Sequence, residues 1–356
     1  MVCGWGAVAE TAAPAPKTGL TTAHAAATPQ TTKALVDSLP QAEVQEIINL
    51  LKSNYLNPEA LSGPEMERAT LQGLITRLTP GTSILQSATA GLTGSSPFHS
   101  EILDNRIGYL RPGSLSKQTV GELDAALKKI SDNSLNAAVL DLRATPASGD
   151  FESAAEIAKR FCPKGAIFFS IKKPTAKQER IFTSNQDPQF QGIMVVLVDQ
   201  DTAGAPEVLA AVLRSRVKAL IIGETTRGQA VEYTDFPLHD GKVLRVAEAI
   251  VVVPEVPPIF PDGVKPDLET KLSAEDTNEI MKQSLDKGIS QFVFEIERPK
   301  MNEAALVAGV NPEIDAMEAA QGKKQDNQPV LRDTVLQRAV DFITTAGFYK
   351  TGPASN

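Results

Sequence analysis

Apolar positions follow two different periods along this chain, and the change between them divides it. Between residues 41 and 85 they recur at helical spacing. "AEVQEIINLLKSNYLNPEAL" places Val44, Ile47, Ile48 and Leu51 on one face, and Pro58 follows the end of the pattern. "PEMERATLQGLITRLTPG" repeats the theme with Met66, Leu71, Leu74, Ile75 and Leu78 and stops at Pro80-Gly81. The spacing predicts two helices forming a small N-terminal module. The next stretch is rich in Gly, Ser and Thr, so residues 86–105 read as a linker.

From Arg106 the period changes. "AAVLDLR", "AIFFSI", "IMVVLVD", "KALIIGE" and "LRVAEAIVVVP" read as strands. Between them lie amphipathic helices: "KQTVGELDAALKKISDN", "DFESAAEIAKRFC" with Asp150 as N-cap, and "PEVLAAVLRS" with Pro206 suited to its first turn. Continuous apolar strands joined by helical crossovers predict an α/β core over residues 106–272, its sheet buried on both faces. Past "PDGVKPDLE" the pattern is mainly helical, so 273–356 reads as an extension ending in "DTVLQRAVDFITTAGF", a helix starting near Asp333. Within that extension "GKKQDNQ" reads as an exposed loop, and "ERPKMNEAALVAGVNPEID" as a segment that packs on its own core or docks on a partner. Residues 1–40 are rich in Ala, Thr and Pro and read as a disordered tail or the remnant of an export signal, with Ala7-Val8-Ala9 shaped like a cleavage site.

Charge and composition narrow the chemistry. The net charge of −8 and the lack of a dense Lys/Arg cluster argue against nucleic-acid binding. No run reaches the ~20 apolar residues of a membrane span. Two cysteines, Cys3 and Cys162, give no disulfide framework and no zinc site. The histidines, His24, His99 and His239, have no metal-ligand spacing and read as surface or loop residues. Neither a metal nor a cofactor is expected, and a His-based triad has no candidate base.

One short stretch carries the functional question. "DQDTAGAPE", Asp199 to Glu207, joins an apolar strand to a helix. A strand-to-helix turn exposes one side chain beside free backbone N–H groups, which is where a nucleophile often sits. This turn holds Thr202, Gly204 and Pro206, and neither serine nor cysteine.

The order of the segments resembles the C-terminal processing, or tail-specific, family of serine peptidases. The likeness covers most of 42–85, 106–269 and the last helix. It rests on "NLLKSNYLNPEAL…ATLQGLITRLTPGTS", "RIGYLRPGSL", "VLDLRATPASGDFESAAEIAKRF", "VLVDQDTAGAPEVLAAVLRSRVKALIIGETTRGQAVEYTDFPL" and "PDGVKPDLE". The resemblance implies a core of the ClpP/crotonase-like type and a Ser–Lys dyad, in which a desolvated neutral lysine takes the serine proton and backbone N–H groups hold the oxyanion.

Laid on this chain, with Glu207 as the shared anchor, the family's serine falls on Gly204, its lysine on Gln229 and its supporting glutamine on Tyr233. The family's Asn-Pro-Gly-Gly loop, which borders the oxyanion hole, reads Thr145-Pro146-Ala147-Ser148. Glycine offers no nucleophile, and glutamine is no amine base. Residues 86–105 are also too few for the family's PDZ domain. The expectation is therefore a catalytically inactive pseudo-peptidase, binding a protein or peptide or serving as a scaffold in an exported compartment, with self-assembly into a homo-oligomer left open. The alternative is an active serine-type peptidase whose nucleophile has moved, or whose dyad lies at positions other than this alignment gives, with Ser148 the candidate for a moved nucleophile and Asp199, Asp201, Glu224 and Glu232 the nearby acids.

Overall fold

The computed structural model describes residues 32–86, 96–143, 145–176, 178–293 and 331–350. The expected tail through residue 31, "GKKQDNQ" and the stretch 297–315 lie outside the described residues. The chain divides into two compact units, residues 1–73 and 74–356.

The first unit holds α1 (Thr32–Ser38), α2 (Gln41–Asn54) and most of α3 (Gly63–Leu78). Both helices read from the sequence form. Their apolar faces stay open: Val44, Ile47 and Leu51 are exposed, and neither α2 nor α3 contains a buried residue. The helical module was expected to run to residue 85. Instead β1 (Thr82–Leu85) belongs to the second unit, where it pairs antiparallel with β10 (Val243–Val252). Four residues are too few to show a strand period beside a long helix.

In the second unit, β2 (His99–Leu103), β3 (Ile107–Arg111), β4 (Ala137–Asp141), β7 (Ile193–Val198), β8 (Leu220–Gly223) and β11 (Leu268–Glu269) form one six-stranded sheet, in the order β11-β8-β7-β4-β3-β2. All neighbours are parallel except β2 and β3. Strand β2 corrects the reading of 86–105 as a linker throughout. Its mixed pattern, "HSEIL", follows from its place at the sheet edge, and it also removes His99 from the surface loops.

The helices α4 (Lys117–Asp132), α5 (Phe151–Ala158) and α6 (Ala205–Val217) cover one face of this sheet. On the other face lie α7 (Ala274–Lys287) and α8 (Thr334–Lys350). Strand alternation divides the side chains. Ala138, Leu140, Val196 and Val198 point to the first layer, and Ala137, Val139, Val195 and Leu197 to the second. Each fully buried Leu or Val contributes roughly 1.5–3 kcal/mol, which is why polar residues such as Arg111 and Asp141 come only at the strand ends.

The expectation of one sheet was incomplete. A second, antiparallel sheet contains β1, β5 (Ile167–Lys172), β6 (Arg180–Thr183), β9 (Val231–Pro237) and β10. Strand β9 runs along one side of β10, and β1 and β5 share the other side. Apolar runs such as "AIFFSI" look alike in either sheet, so periodicity could not separate them.

A buried polar network ties α8 to the carboxyl end of β4. Arg143 bonds Asp141 through Nε (3.0 Å) and Nη2 (2.7 Å), and Asp333 through Nη1 (2.9 Å) and Nη2 (2.7 Å). Tyr109 donates to Asp141 Oδ2 at 2.8 Å, and Asp333 caps α8 by accepting from Leu336 N–H at 2.9 Å. Burial would push the Asp141 carboxyl up, but the charge and hydrogen bonds of Arg143 hold it below the ordinary aspartate value.

Candidate active site

Gly204 ends the turn after β7 and N-caps α6, with φ 71° and ψ −123°. Those angles are strained for any L-residue, and glycine takes them without a Cβ penalty. The next N–H, at Ala205, donates to the carbonyl of Ser148 at 2.7 Å, and Pro206 has no N–H. Ser148 lies on the loop between β4 and α5 and forms a single parallel bridge with Gly204. A β-carbon built on Gly204 would sit 2.3 Å from the Ser148 carbonyl oxygen, well inside contact distance. The space beside the turn is thus filled by backbone of the Ala147–Ser148 loop, and an N–H that could face an oxyanion is already satisfied.

Glu207 organises the surroundings. It is fully buried, yet its carboxylate accepts from Gly204 N (2.7 Å), Gln229 N (2.7 Å), Gly228 N (2.6 Å) and Thr226 Oγ1 (2.5 Å). Gly204 and Gln229 therefore share one carboxylate oxygen, so their backbones lie within two hydrogen-bond lengths of each other. Thr226 Oγ1 in turn accepts from Val264 N at 2.8 Å, bringing in the "PDGVKPDLE" segment. At Gly228, φ is +76° and a β-carbon would meet the Pro261 carbonyl at 2.0 Å, so this close approach also requires glycine. Sequence reasoning used Glu207 only as an anchor. A lone acid in the apolar run of α6 was the signal that it had internal partners.

Residues 106–270 match the model of Peptidase family S41. That segment is a Peptidase S41 domain. A carboxyl-terminal-processing protease of Synechocystis sp. is 29% identical over 58% of this chain and 48% of its own length. The carboxy-terminal processing protease CtpA of Bacillus subtilis is 29% identical over 49% of this chain and 37% of its own. The chloroplastic carboxyl-terminal-processing peptidase 2 of Arabidopsis thaliana is 31% identical over 58% and 38%. The chain spans less than half the length of these relatives. A solved photosystem II D1 C-terminal processing protease aligns with a TM-score of 0.44 at 24% identity, covering 60% of this chain and 52% of that one.

Around the S41 domain's turn, the remaining candidates divide. Tyr233, on β9, donates to the Pro80 carbonyl at 2.9 Å. Burial and then the charge of Glu207 push its phenol up, while Arg245, 5.8 Å above the ring, opposes them. Ser148 Oγ accepts from Asp150 N at 3.0 Å, as in a tight turn, and no basic side chain bonds it among the described residues. Glu232 is engaged by Arg180, and Asp201 by Arg227. Asp199 Oδ1 holds the turn together, accepting from Thr202 N (2.8 Å), Thr202 Oγ1 (2.9 Å) and Asp201 N (3.0 Å). Burial pushes its carboxyl up to about 6, against those bonds and the charge of Arg143. Cys162 is buried and its thiol is raised to about 12, the opposite of what a thiolate nucleophile needs.

Proposed function

We propose that this S41 domain is a pseudo-peptidase: a tail-specific protease core that binds a protein or peptide, or acts as a scaffold, in an exported compartment, without hydrolysis of its own. The observation that carries this reading is the Ser148 carbonyl. It takes the Ala205 N–H and stands where a nucleophile's β-carbon would be. An acyl-transfer site needs an attacking atom, a base and free donors for the oxyanion. Gly204 supplies no atom, Gln229 no base, and the Ala205 donor is occupied. The family's PDZ domain is likewise read as missing from residues 86–105.

Peptide binding is supported by the second sheet. No described strand pairs with the outer side of β9, which starts two residues past Gln229. An extended peptide can add to such an edge through main-chain hydrogen bonds. No described helix is long and apolar enough to cross a membrane.

The test is peptidase activity of the purified protein on an unstructured protein substrate, with Ser148→Ala in parallel. No cleavage by either protein is expected. Wild-type cleavage lost in Ser148→Ala would overturn the reading and make Ser148 the nucleophile.

A further inference from the structure

Beside the same turn, the carboxyl ends of β4, β7 and β8 open into a cavity of about 550 Å³. Ligands of open α/β sheets collect at this end of the strands, and the volume suits a small molecule or one side chain. Asp199, Glu224 and Lys271 stand around it, and Leu272, Ala274 and Met281 give it an apolar wall.

Three cations, Arg143, Arg227 and Lys271, and three acids, Asp199, Asp201 and Glu224, line this cavity, but they are not all paired with one another. Arg143, at the floor, is taken by Asp141 and Asp333. Arg227 pairs with Asp201, and Lys271 lies 3.5 Å from Glu269. The three cations are thus matched already. Asp199 and Glu224 are not: among the described residues neither has a Lys, Arg or His nitrogen within 4.0 Å. Glu224 Oε1 accepts only from the Gln200 amide, at 2.9 Å. Asp199 spends Oδ1 on its own turn, and its Oδ2 accepts nothing from the described residues. Among the described residues no group of three or more His, Cys, Asp or Glu could hold a metal ion.

We propose that this cavity binds a primary ammonium group on an unbranched alkyl chain, seated on Asp199 Oδ2 with its chain along Leu272, Ala274 and Met281. An ammonium donates three hydrogen bonds and brings a cation to a carboxylate oxygen that accepts nothing from the described residues. The group belongs to a free alkyl diamine or to a lysine side chain of a peptide; the chemistry is the same. A cation and a proton compete for Asp199. The other charges around it are Arg143, Asp141 and Asp333 at the β4 end, Asp201 on its own turn, Glu224 and Arg227 after β8, and Lys271 after β11. With the Asp199 carboxyl at about 6, affinity falls about tenfold between pH 7.5 and pH 5. The site stands apart from the question of hydrolysis.

The experiment is an NMR titration of the full chain with 1,4-diaminobutane and, separately, with the capped tripeptide acetyl-Gly-Lys-Gly-amide and its Nε-acetylated form. Saturable shifts at Asp199, Lys271 and Thr277 are expected with the ammonium probes and not with the acetylated one. The tighter of the two ammonium probes identifies the source. Asp199→Asn keeps an acceptor oxygen for Thr202, and binding should weaken at least tenfold. Glu224→Gln, off the turn, should weaken it a few-fold. Binding weaker than about 10 mM for both ammonium probes overturns the proposal. So does equal affinity in wild type and both variants, or a flat pH profile. If Asp199→Asn does not fold, Glu224→Gln and the pH profile decide by the same criteria.

Discussion

The carbonyl oxygen of Ser148 and the α-carbon of Gly204 are packed so closely that no side chain fits between them: a β-carbon on Gly204 would lie 2.3 Å from that oxygen. Placing a serine here is therefore not a matter of chemistry alone. Gly204→Ser should cost about 2–4 kcal/mol, from the strained dihedrals and the displaced Ser148 loop. Denaturant unfolding measures the loss. Gly204→Ser with Gln229→Lys should remain without peptidase activity. Activity in the double variant with undiminished stability would show that the loop yields easily.

Glu207 is expected to be among the least replaceable residues of the second unit. In Glu207→Gln an NH2 group would face backbone donors that now share the carboxylate. A buried donor left without its acceptor costs roughly 1–3 kcal/mol, so the variant should lose about 3 kcal/mol or more. The comparison is with Glu224→Gln, which should change stability by less than about 0.5 kcal/mol.

Asp199 gives a pH dependence with a definite sign. Its folded value of about 6 lies above the ordinary 3.8. Between those values the folded protein holds a proton that the unfolded chain has released. This group's contribution to stability therefore grows as pH falls from above 6 towards 4, and is lost as pH rises through 6. Other carboxyls, including Glu101 and Asp124, are held low and act in the opposite direction. Subtraction isolates the term: the stability difference between Asp199→Asn and wild type should be about 1–2 kcal/mol more favourable to the variant at pH 7.5 than at pH 4.5. A difference that does not change with pH would contradict this.

Arg143 bridges two buried carboxylates, those of Asp141 and Asp333. Arg143→Met leaves Asp141 and Asp333 facing each other without compensation, and should cost about 3–5 kcal/mol. Asp333→Asn should be milder and local. Hydrogen exchange would show it as faster opening of α8, with β4 and β7 little changed.

Much of this was legible in the chain. The runs "AAVLDLR", "IMVVLVD" and "KALIIGE" read as strands because burial on both faces keeps them apolar up to their carboxyl ends, where buried polar groups such as Asp141 find partners. Asp150 was readable as an N-cap, and its carboxylate accepts from Ser153 N at 2.9 Å. Pro206 stood in the first turn of α6 as its fixed φ requires. The second sheet was not legible. Strands β1, β6 and β9 are short or half exposed, and their partners lie far along the chain. At the site, the resemblance singled out Gly204 and Gln229 as the positions to compare with the family's dyad. It could not show the Ser148 carbonyl, because a backbone atom leaves no trace in residue identity. Asp199 and Glu224 were noted as acids near the turn, but their lack of cationic partners depends on where Arg143, Arg227 and Lys271 find theirs.

The Glu207 carboxylate has a mechanical consequence. It joins the turn at Gly204 to the loop at Gly228 and Gln229, and Thr226 carries the connection on to Val264. These three segments are distant in sequence but bonded in series: releasing the Gly228 loop would take three donors from the buried carboxylate and leave Val264 N–H without its acceptor. They form one cooperative unit that opens as a whole. The amides of Gly204, Gly228, Gln229 and Val264 would then exchange with solvent on a single shared clock, although two of the segments are loops that would otherwise be among the first regions to breathe.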